Sequence, residues 1–190
     1  MGLMASGKED FPKAPAGVHV ARCYRILDLG WHLSNFKNED GSDKYVHRVR
    51  IEWELPTEKM GDGRPFSVNN RYTLSLHKKA NLRKHLESWR GQPFSKEDQR
   101  GFDISSLLGV PCQLQIIHDG DYANVENVMA LPSGLECPAQ ENASFAYSIE
   151  DDPDGSIYDS LDEWMQKKIN YRHPQNGATT PSDLPDDVPF

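Results

Sequence analysis

Two neighbouring stretches, residues 44–55 and 66–76, alternate apolar and polar residues one by one. Because successive side chains of a β-strand point to opposite faces, this alternation predicts two strands, each buried on one side. The residues between them, PTEKMGDGRP, are rich in turn formers, so we predict that the two strands form a hairpin. The apolar faces are Val49, Ile51, Trp53 and Leu55 in the first strand and Phe66, Val68, Tyr72, Leu74 and Leu76 in the second.

The rest of the first 132 residues adds three strands and one helix. Residues 17–28 are rich in β-branched and aromatic residues and predict a strand, whereas residues 30–43 carry Gly, Asn and Asp and predict a long loop. Residues 77–91 show helical spacing and end at Gly91, a typical C-cap. Two further strands flank the turn Asp119-Gly120. The order βββ-α-ββ predicts a mainly β chain with a five-stranded OB-fold barrel over residues 17–132.

Charge divides the chain into a balanced and an acidic part. Residues 1–130 carry 18 Lys and Arg against 17 Asp and Glu, whereas residues 131–190 carry 3 against 12. We therefore predict that residues 133–182 form an acidic, largely disordered linker that leads to a terminal tip, residues 183–190. A short amphipathic helix is predicted near 158–169, and it either stands free or docks on the barrel. Residues 1–16 lack periodicity and predict a flexible N-terminal arm.

Several functional classes find no support in the sequence. The three cysteines are far apart and odd in number, which indicates neither a disulfide framework nor a zinc site, and the expected compartment is the reducing cytoplasm. The chain contains no phosphate-binding loop, no nucleophile elbow and no carboxylate cluster typical of a two-metal nuclease. No apolar run approaches the roughly 20 residues that a membrane span needs. We expect a non-enzymatic protein without cofactor, metal or membrane partner.

The last residues form the most specific motif. An acidic stretch ends in two aspartates, an aliphatic residue, proline and a terminal phenylalanine, a combination suited to docking: the ring fills a pocket while the carboxylates meet a basic rim. This ending resembles the C-terminal tip of bacterial single-stranded-DNA-binding proteins, although valine stands where that family commonly has isoleucine. The resemblance implies that the tip recruits replication or recombination proteins. The residues concerned are Asp183, Asp186, Asp187, Val188, Pro189 and Phe190.

A second signal lies in the barrel itself. The span from Arg64 to Arg90 holds seven basic residues and one acidic residue, and aromatic residues stand on the preceding loop and strand. Proteins that bind single strands combine a positive groove with rings on which bases stack. Other aromatic residues, such as Trp53, Phe66, Tyr72 and Trp89, lie on apolar stripes typical of a core, and the basic helix also fits a solvated face. The candidate DNA-binding residues are Trp31, Phe36, Lys37, Tyr45, Arg48, Arg50, Arg64, Asn69 and Arg71.

The middle of the chain also resembles a family of phage-encoded single-stranded-DNA-binding proteins. The likeness covers roughly residues 11–132 and rests on WELP, GRPF, RYTLSLHKKANLRKHLESWRG, GFDISSLLG and YANV. It implies sequence-independent binding and protection of single-stranded DNA in the cytosol of a host cell. The alternative is a protein-interaction module, such as a recombination mediator or an inhibitor that mimics DNA with its acidic tail. Exposed strand edges would also allow a homo-oligomer.

Overall fold

One long strand organises the sheet. The computed structural model describes residues 12–170, and its first strand, β1, spans Gly17–Lys37. Five further strands join it in a sheet of order β3-β2-β1-β4-β5, with β6 paired to β1 beside β4. All ladders are antiparallel except the short parallel ladder between β1 and β6. These strands are β2 (Asp43–Lys59), β3 (Pro65–Thr73), β4 (Pro111–Asp119), β5 (Tyr122–Met129) and β6 (Phe145–Tyr147).

The helices are short and lie between or after the strands. Helix α1, Asn81–Arg90, ends at Gly91, whose φ of 71° and backbone N–H bonds to Glu87 and Ser88 form the predicted C-cap. Two 3-10 helices, Asp98–Arg100 and Ile104–Leu107, connect α1 to β4. Helices α2, Ser156–Ser160, and α3, Glu163–Gln166, follow β6. The predicted single helix near 158–169 is therefore two short helices separated by Leu161 and Asp162.

The prediction of a mainly β chain is confirmed, but that of a five-stranded barrel needs correction. The sheet has a sixth strand, and within residues 12–170 no ladder joins its two outer strands, β3 and β5, so it is not closed. The sixth strand exists because β1 is far longer than β4. Along β1, strand β4 pairs only with the residues Gly17–Arg22, which leaves the backbone of Arg25–Leu27 for β6.

The prediction of a long loop over residues 30–43 is wrong. Strand β1 continues to Lys37 and β2 begins at Asp43, so that only residues 38–42 remain for the turn. Gly30 suggested a loop, but it lies at a register shift inside the strand with a φ of 72°. Beyond this bulge the ladder resumes with the pairs Trp31 to His47 and Leu33 to Tyr45.

One face of the sheet packs on α1 and forms the main core. Leu82, Leu86 and Trp89 of α1 are buried there, and the Trp89 ring lies 6.0 Å from that of Trp53. The interpretation of Trp53, Tyr72 and Trp89 as core residues is confirmed, since all three are at most 5% exposed. Phe66 is half-buried and packs against the same core.

The opposite face carries a second, smaller core that the sequence did not predict. Leu27 and Leu29 of β1 pack there against Tyr147, Met165 and Ile169. Residues 133–170, which we call the C-terminal arm, thus lie along the sheet, and the expectation of a largely disordered linker does not hold for them. Acidic composition suggested solvation, but the few apolar residues of the arm are spaced so that they cover the leucines of β1.

Candidate nucleic-acid interface

The arginines of β2 and β3 lie on the same face of the sheet as the C-terminal arm. Alternation along β2 places Arg48 and Arg50 on one side, and the ladder sets Arg71 of β3 directly opposite Arg50. Arg48 donates a hydrogen bond of 3.0 Å from Nη1 to Oγ1 of Thr73, its register partner. Two strands therefore hold three guanidinium groups close together.

Two of these arginines, Arg50 and Arg71, line a basic pocket of about 240 Å³. Strand β1 supplies its apolar floor and one imidazole, β2 and β3 each supply one arginine, and the arm supplies two lysines just after α3. None of its lining residues is acidic. The residues that line the pocket are Leu29, His32, Arg50, Arg71, Lys167 and Lys168.

The electrostatics of this basic pocket favour an anion. The pKa of Arg71 is lowered by burial and by the positive charges of Arg48 and Arg50. Burial also lowers the pKa of His32, and the charges of Arg71 and Arg48 add to that effect. The hydrogen bond of 2.8 Å between His32 Nε2 and the carbonyl of Leu29 acts in the opposite direction and raises this pKa. Like charges held this close repel one another, and a bound anion would relieve the repulsion.

The acidic residues of the same face, Glu52 and Glu54, bind neighbouring groups, and one of them pairs with Arg50 of the pocket. Glu54 is fully buried and accepts hydrogen bonds from the backbone N–H groups of Glu141 and Asn142 and from the Asn142 amide, at 2.7 to 2.8 Å. Glu52 accepts bonds from the Tyr24 hydroxyl at 2.9 Å and from Arg25 and Arg50. The two glutamates therefore neutralise the face around residues 52–54 of β2 and offset the charge of Arg50, and the pocket stays positive because it also holds Arg71 and two lysines.

An aromatic ring of the arm lies beside this neutralised region. The guanidinium carbons of Arg25 and Arg50 lie 5.2 and 5.9 Å from the centroid of the Trp164 ring, within the range of cation–π attraction. Trp164 is nevertheless 37% exposed.

Trp31 does not occupy the exposed loop position that the sequence predicted. It belongs to β1, is only 8% exposed, and stacks on His47 with the ring centroids 5.2 Å apart and the planes at 21°. His47 also bonds Oδ1 of Asp28 at 2.6 Å through Nε2. Because its ring is already covered, Trp31 offers little surface to a base.

Phe36 and Tyr45 are exposed, as expected, at the far end of the β1–β2 hairpin. Their exposed fractions are 46% and 36%, and Leu33, opposite Tyr45, is exposed by 57%. By alternation, however, Tyr45 lies on the other face of β2 from Arg48. Lys37 forms an ion pair with Asp43 at this end of the hairpin. The structure does not bring Lys37 or Tyr45 together with the basic pocket.

The last two candidates, Arg64 and Asn69, differ in their distance from the basic pocket. Arg64 precedes β3 and pairs with Asp62 at 2.7 Å. It lies seven residues before Arg71, and seven residues correspond to about 23 Å along a strand. Asn69 is exposed opposite Glu52, on the same face as Arg71. Of the predicted set, the structure therefore groups Arg48, Arg50 and Arg71, with Asn69 next to them.

Sequence reasoning missed the contributions of His32 and of the C-terminal arm. Lys167 and Lys168 belong to an otherwise acidic segment, and a signal was present in the amphipathic spacing of Met165 and Ile169, which leaves both lysines on the exposed side. Which surface the lysines join depends on where the arm docks, and local spacing does not encode this.

The predicted basic helix behaves largely as a solvated face. Arg83 pairs with Glu87 at 2.9 Å, and Arg90 lies 3.4 Å from Asp98. Two further observations concern residues 12–170 alone: no group of three or more His, Cys, Asp or Glu side chains is placed to bind a metal, and no helix has the length and apolarity to cross a membrane. The six candidate partner-binding residues of the terminal tip, which is residues 183–190, lie outside the described part of the chain.

The chain matches no family model, no curated protein and no solved structure. The resemblances to bacterial and phage single-stranded-DNA-binding proteins therefore remain predictions from the sequence motifs.

Proposed function

We propose that the protein binds and protects single-stranded DNA without sequence preference, during replication or recombination. The observation that carries this proposal is the basic pocket, in which Arg50 and Arg71 face each other across a ladder while Lys167 and Lys168 approach from the arm. Phosphate groups are the anions that such a cluster of guanidinium and ammonium groups suits best. Asn69, exposed on the same face of β3, extends the polar surface beside Arg71.

The topology supports the same proposal at the level of fold. Three strands, a helix and two more strands follow one another in the order of an OB-fold, and the ends of the open sheet, β3 and β5, flank the main core. In that fold the face of the second and third strands binds oligonucleotides or oligosaccharides. Arginines on that face favour the phosphate-bearing ligand over the neutral one.

Partner recruitment belongs to the proposal through the sequence alone. The ending Asp186-Asp187-Val188-Pro189-Phe190 provides an aromatic anchor, a terminal carboxylate and two further negative charges. We propose that replication or recombination proteins bind this tip, through a pocket with a basic rim.

The test is fluorescence anisotropy of labelled oligo-dT and of a duplex of the same length, over a range of salt concentrations. We expect the single strand to bind more tightly, with a log–log salt slope of about −0.7 per neutralised phosphate. Arg71→Ala should weaken binding and flatten the slope by about 0.7. Arg64→Ala is the matched control, because it removes the same charge from a position outside the pocket, and it should leave both quantities unchanged.

The alternative, a protein-interaction module that mimics DNA, draws on the charge of the arm, which carries nine acidic residues against two lysines. The same titration decides between the two. Absence of binding to either nucleic acid at low salt would refute the proposed function and favour this alternative.

A further inference from the structure

The C-terminal arm holds the side chains of Trp164, Lys167 and Lys168 next to the arginine face, because neighbouring residues anchor it to the sheet. Met165 and Ile169 are buried in the second core, at 7% and 6% exposure. Just beyond them, Asn170 donates from its backbone N–H to the carbonyl of Leu29 at 2.8 Å and from Nδ2 to the carbonyl of Trp31 at 2.7 Å. Lys167 and Lys168 lie between these anchors and Trp164 directly precedes the first of them, so these three residues cannot move far without breaking the anchoring contacts.

Trp164 is the exposed ring in this arrangement. Both arginines that contact it, Arg25 and Arg50, come from the sheet, so the ring meets cations on its sheet side and the exposed part of the side chain faces away. The other three tryptophans of the chain, Trp31, Trp53 and Trp89, are at most 8% exposed. An indole that lies over guanidinium groups with one side open is suited to stack on a nucleotide base.

The two lysines stand one turn further along. Lys167 and Lys168 are exposed and line the basic pocket opposite Arg71. Lys167 also pairs with Glu163 at 2.6 Å, but both partners are more than two-thirds exposed, and such a pair competes weakly with a phosphate. One exposed ring and two cations therefore lie close together on the arm, as a base and its neighbouring phosphates do along a single strand.

We propose that the C-terminal arm forms the second wall of the single-strand groove, with Trp164 stacking on a base and Lys167 and Lys168 contacting the adjacent phosphates. This inference rests on the proposed function and extends it to residues outside the predicted barrel. The groove then runs between the arginines of β2 and β3 on one side and the arm on the other.

The opposite arrangement would be an arm that plugs the groove and leaves when DNA binds. The structure favours a wall, because release of the arm would expose the second core and undo the bonds of Glu54 to residues 141–142. The basic pocket, moreover, includes lysines of the arm itself and would lose them on release.

The experiment uses the full chain and labelled oligo-dT, with anisotropy and intrinsic tryptophan fluorescence as the two readouts. We expect Trp164→Ala to weaken binding by about 5- to 150-fold, the range for loss of one stacked base. Trp164→Phe should restore most of the affinity but lose most of the fluorescence quenching, whereas Trp31→Phe should keep the quenching. Tyr122→Ala is the aromatic control, because Tyr122 is 73% exposed in the turn between β4 and β5, and it should change nothing.

The lysines are tested by the salt dependence. The double variant Lys167→Ala/Lys168→Ala should flatten the log–log slope by about 1.4, twice the value for one phosphate. The control Lys96→Ala/Arg100→Ala removes two exposed charges from the connection between α1 and β4, and it should leave the slope unchanged. Unfolding curves of each variant show whether a change in affinity has a cause in folding.

The outcomes separate the two proposals. If the wild-type chain does not bind oligo-dT, the proposed function fails and this inference fails with it. If the wild-type chain binds while the arm variants match it in affinity, quenching and slope, only the wall is refuted. Tighter binding by the arm variants would also refute the wall, since it would identify the arm as a plug.

Discussion

Substitution of Gly30 by alanine tests most directly whether the arm is seated on β1. A Cβ added at Gly30 would lie 2.1 Å from the carbonyl oxygen of Asn170 and 2.9 Å from Cδ1 of Ile149. Both contacts are far below van der Waals distance, and the first is to backbone, which cannot turn aside as a side chain does. The end of the arm must therefore move away from β1.

The magnitude follows from what is lost. Asn170 would give up its two hydrogen bonds to the carbonyls of Leu29 and Trp31, and each such bond contributes about 0.5 to 1.5 kcal/mol. The neighbouring Ile169 would become exposed and lose the free energy that its burial contributes, about 1.5 to 3 kcal/mol. The clash should therefore lower the free energy of unfolding by about 2.5 to 6 kcal/mol. A side chain at positive φ adds a further cost of about 1 to 2 kcal/mol.

A matched control isolates the clash. Gly41 has a φ of 80° and no atom within 4 Å of an added Cβ, so Gly41→Ala carries the cost of positive φ but no clash. Both variants are compared by urea unfolding, followed by circular dichroism, and by the rate of tryptic cleavage at Lys167 and Lys168. We expect Gly30→Ala to unfold at lower urea and to be cleaved faster. If the two variants agree within about 0.5 kcal/mol, the usual effect of a neutral surface change, the arm does not rest on Gly30 as described.

Three further predictions concern the buried acids and the tip. Glu54→Ala should lower the free energy of unfolding by about 1 to 3 kcal/mol, because it leaves three part-buried N–H donors of residues 141–142 without an acceptor. Glu54→Gln keeps one oxygen and should cost less in the same urea titration, and equal costs would contradict this account. Burial alone would raise the pKa of Asp28, but hydrogen bonds from His47, Gly30 and Ile149 lower it below its usual value, so its stabilising effect is present above about pH 3.9 and is lost as the pH falls further. Asp28→Asn should accordingly destabilise the protein at pH 7 and differ less from wild type at pH 3, and a pH-independent difference in urea midpoint would refute the assignment. Deletion of residues 183–190 removes three aspartates and should leave the affinity for oligo-dT unchanged or higher while it abolishes binding of partner proteins; a weaker affinity would contradict the role of the tip.

The comparison of sequence and structure is clearest at the two tryptophans near the interface. Trp31 was predicted to stack on bases because polar and glycine-rich neighbours indicated a loop, yet the ladder continues past Gly30 and His47 covers the ring. Trp164 was assigned no role in DNA binding, yet it is the most exposed of the four tryptophans and lies next to two arginines. The composition of a short stretch of sequence does not predict which distant segment of the chain packs against an aromatic ring and covers it.

What the sequence determined by itself is the set of local elements and their sidedness. The period of two along residues 44–55 and 66–76 specified two paired strands and assigned Arg48, Arg50 and Arg71 to one face, because alternation is a property of the extended backbone. The spacing of Leu82, Leu86 and Trp89 specified the buried side of α1 for the same kind of reason.

Only the tertiary structure decided the length of β1, the open sheet and the docking of the C-terminal arm. The arm is acidic enough to predict solvation, but its few apolar residues meet Leu27 and Leu29 at the edge of β1 that β4 leaves unpaired. That contact joins residues more than 100 positions apart in the sequence, and it depends on how far β1 extends beyond the end of its pairing with β4. The hydrophobic gain of such a long-range contact outweighs the local preference for solvent, and it brings Trp164, Lys167 and Lys168 beside the arginines.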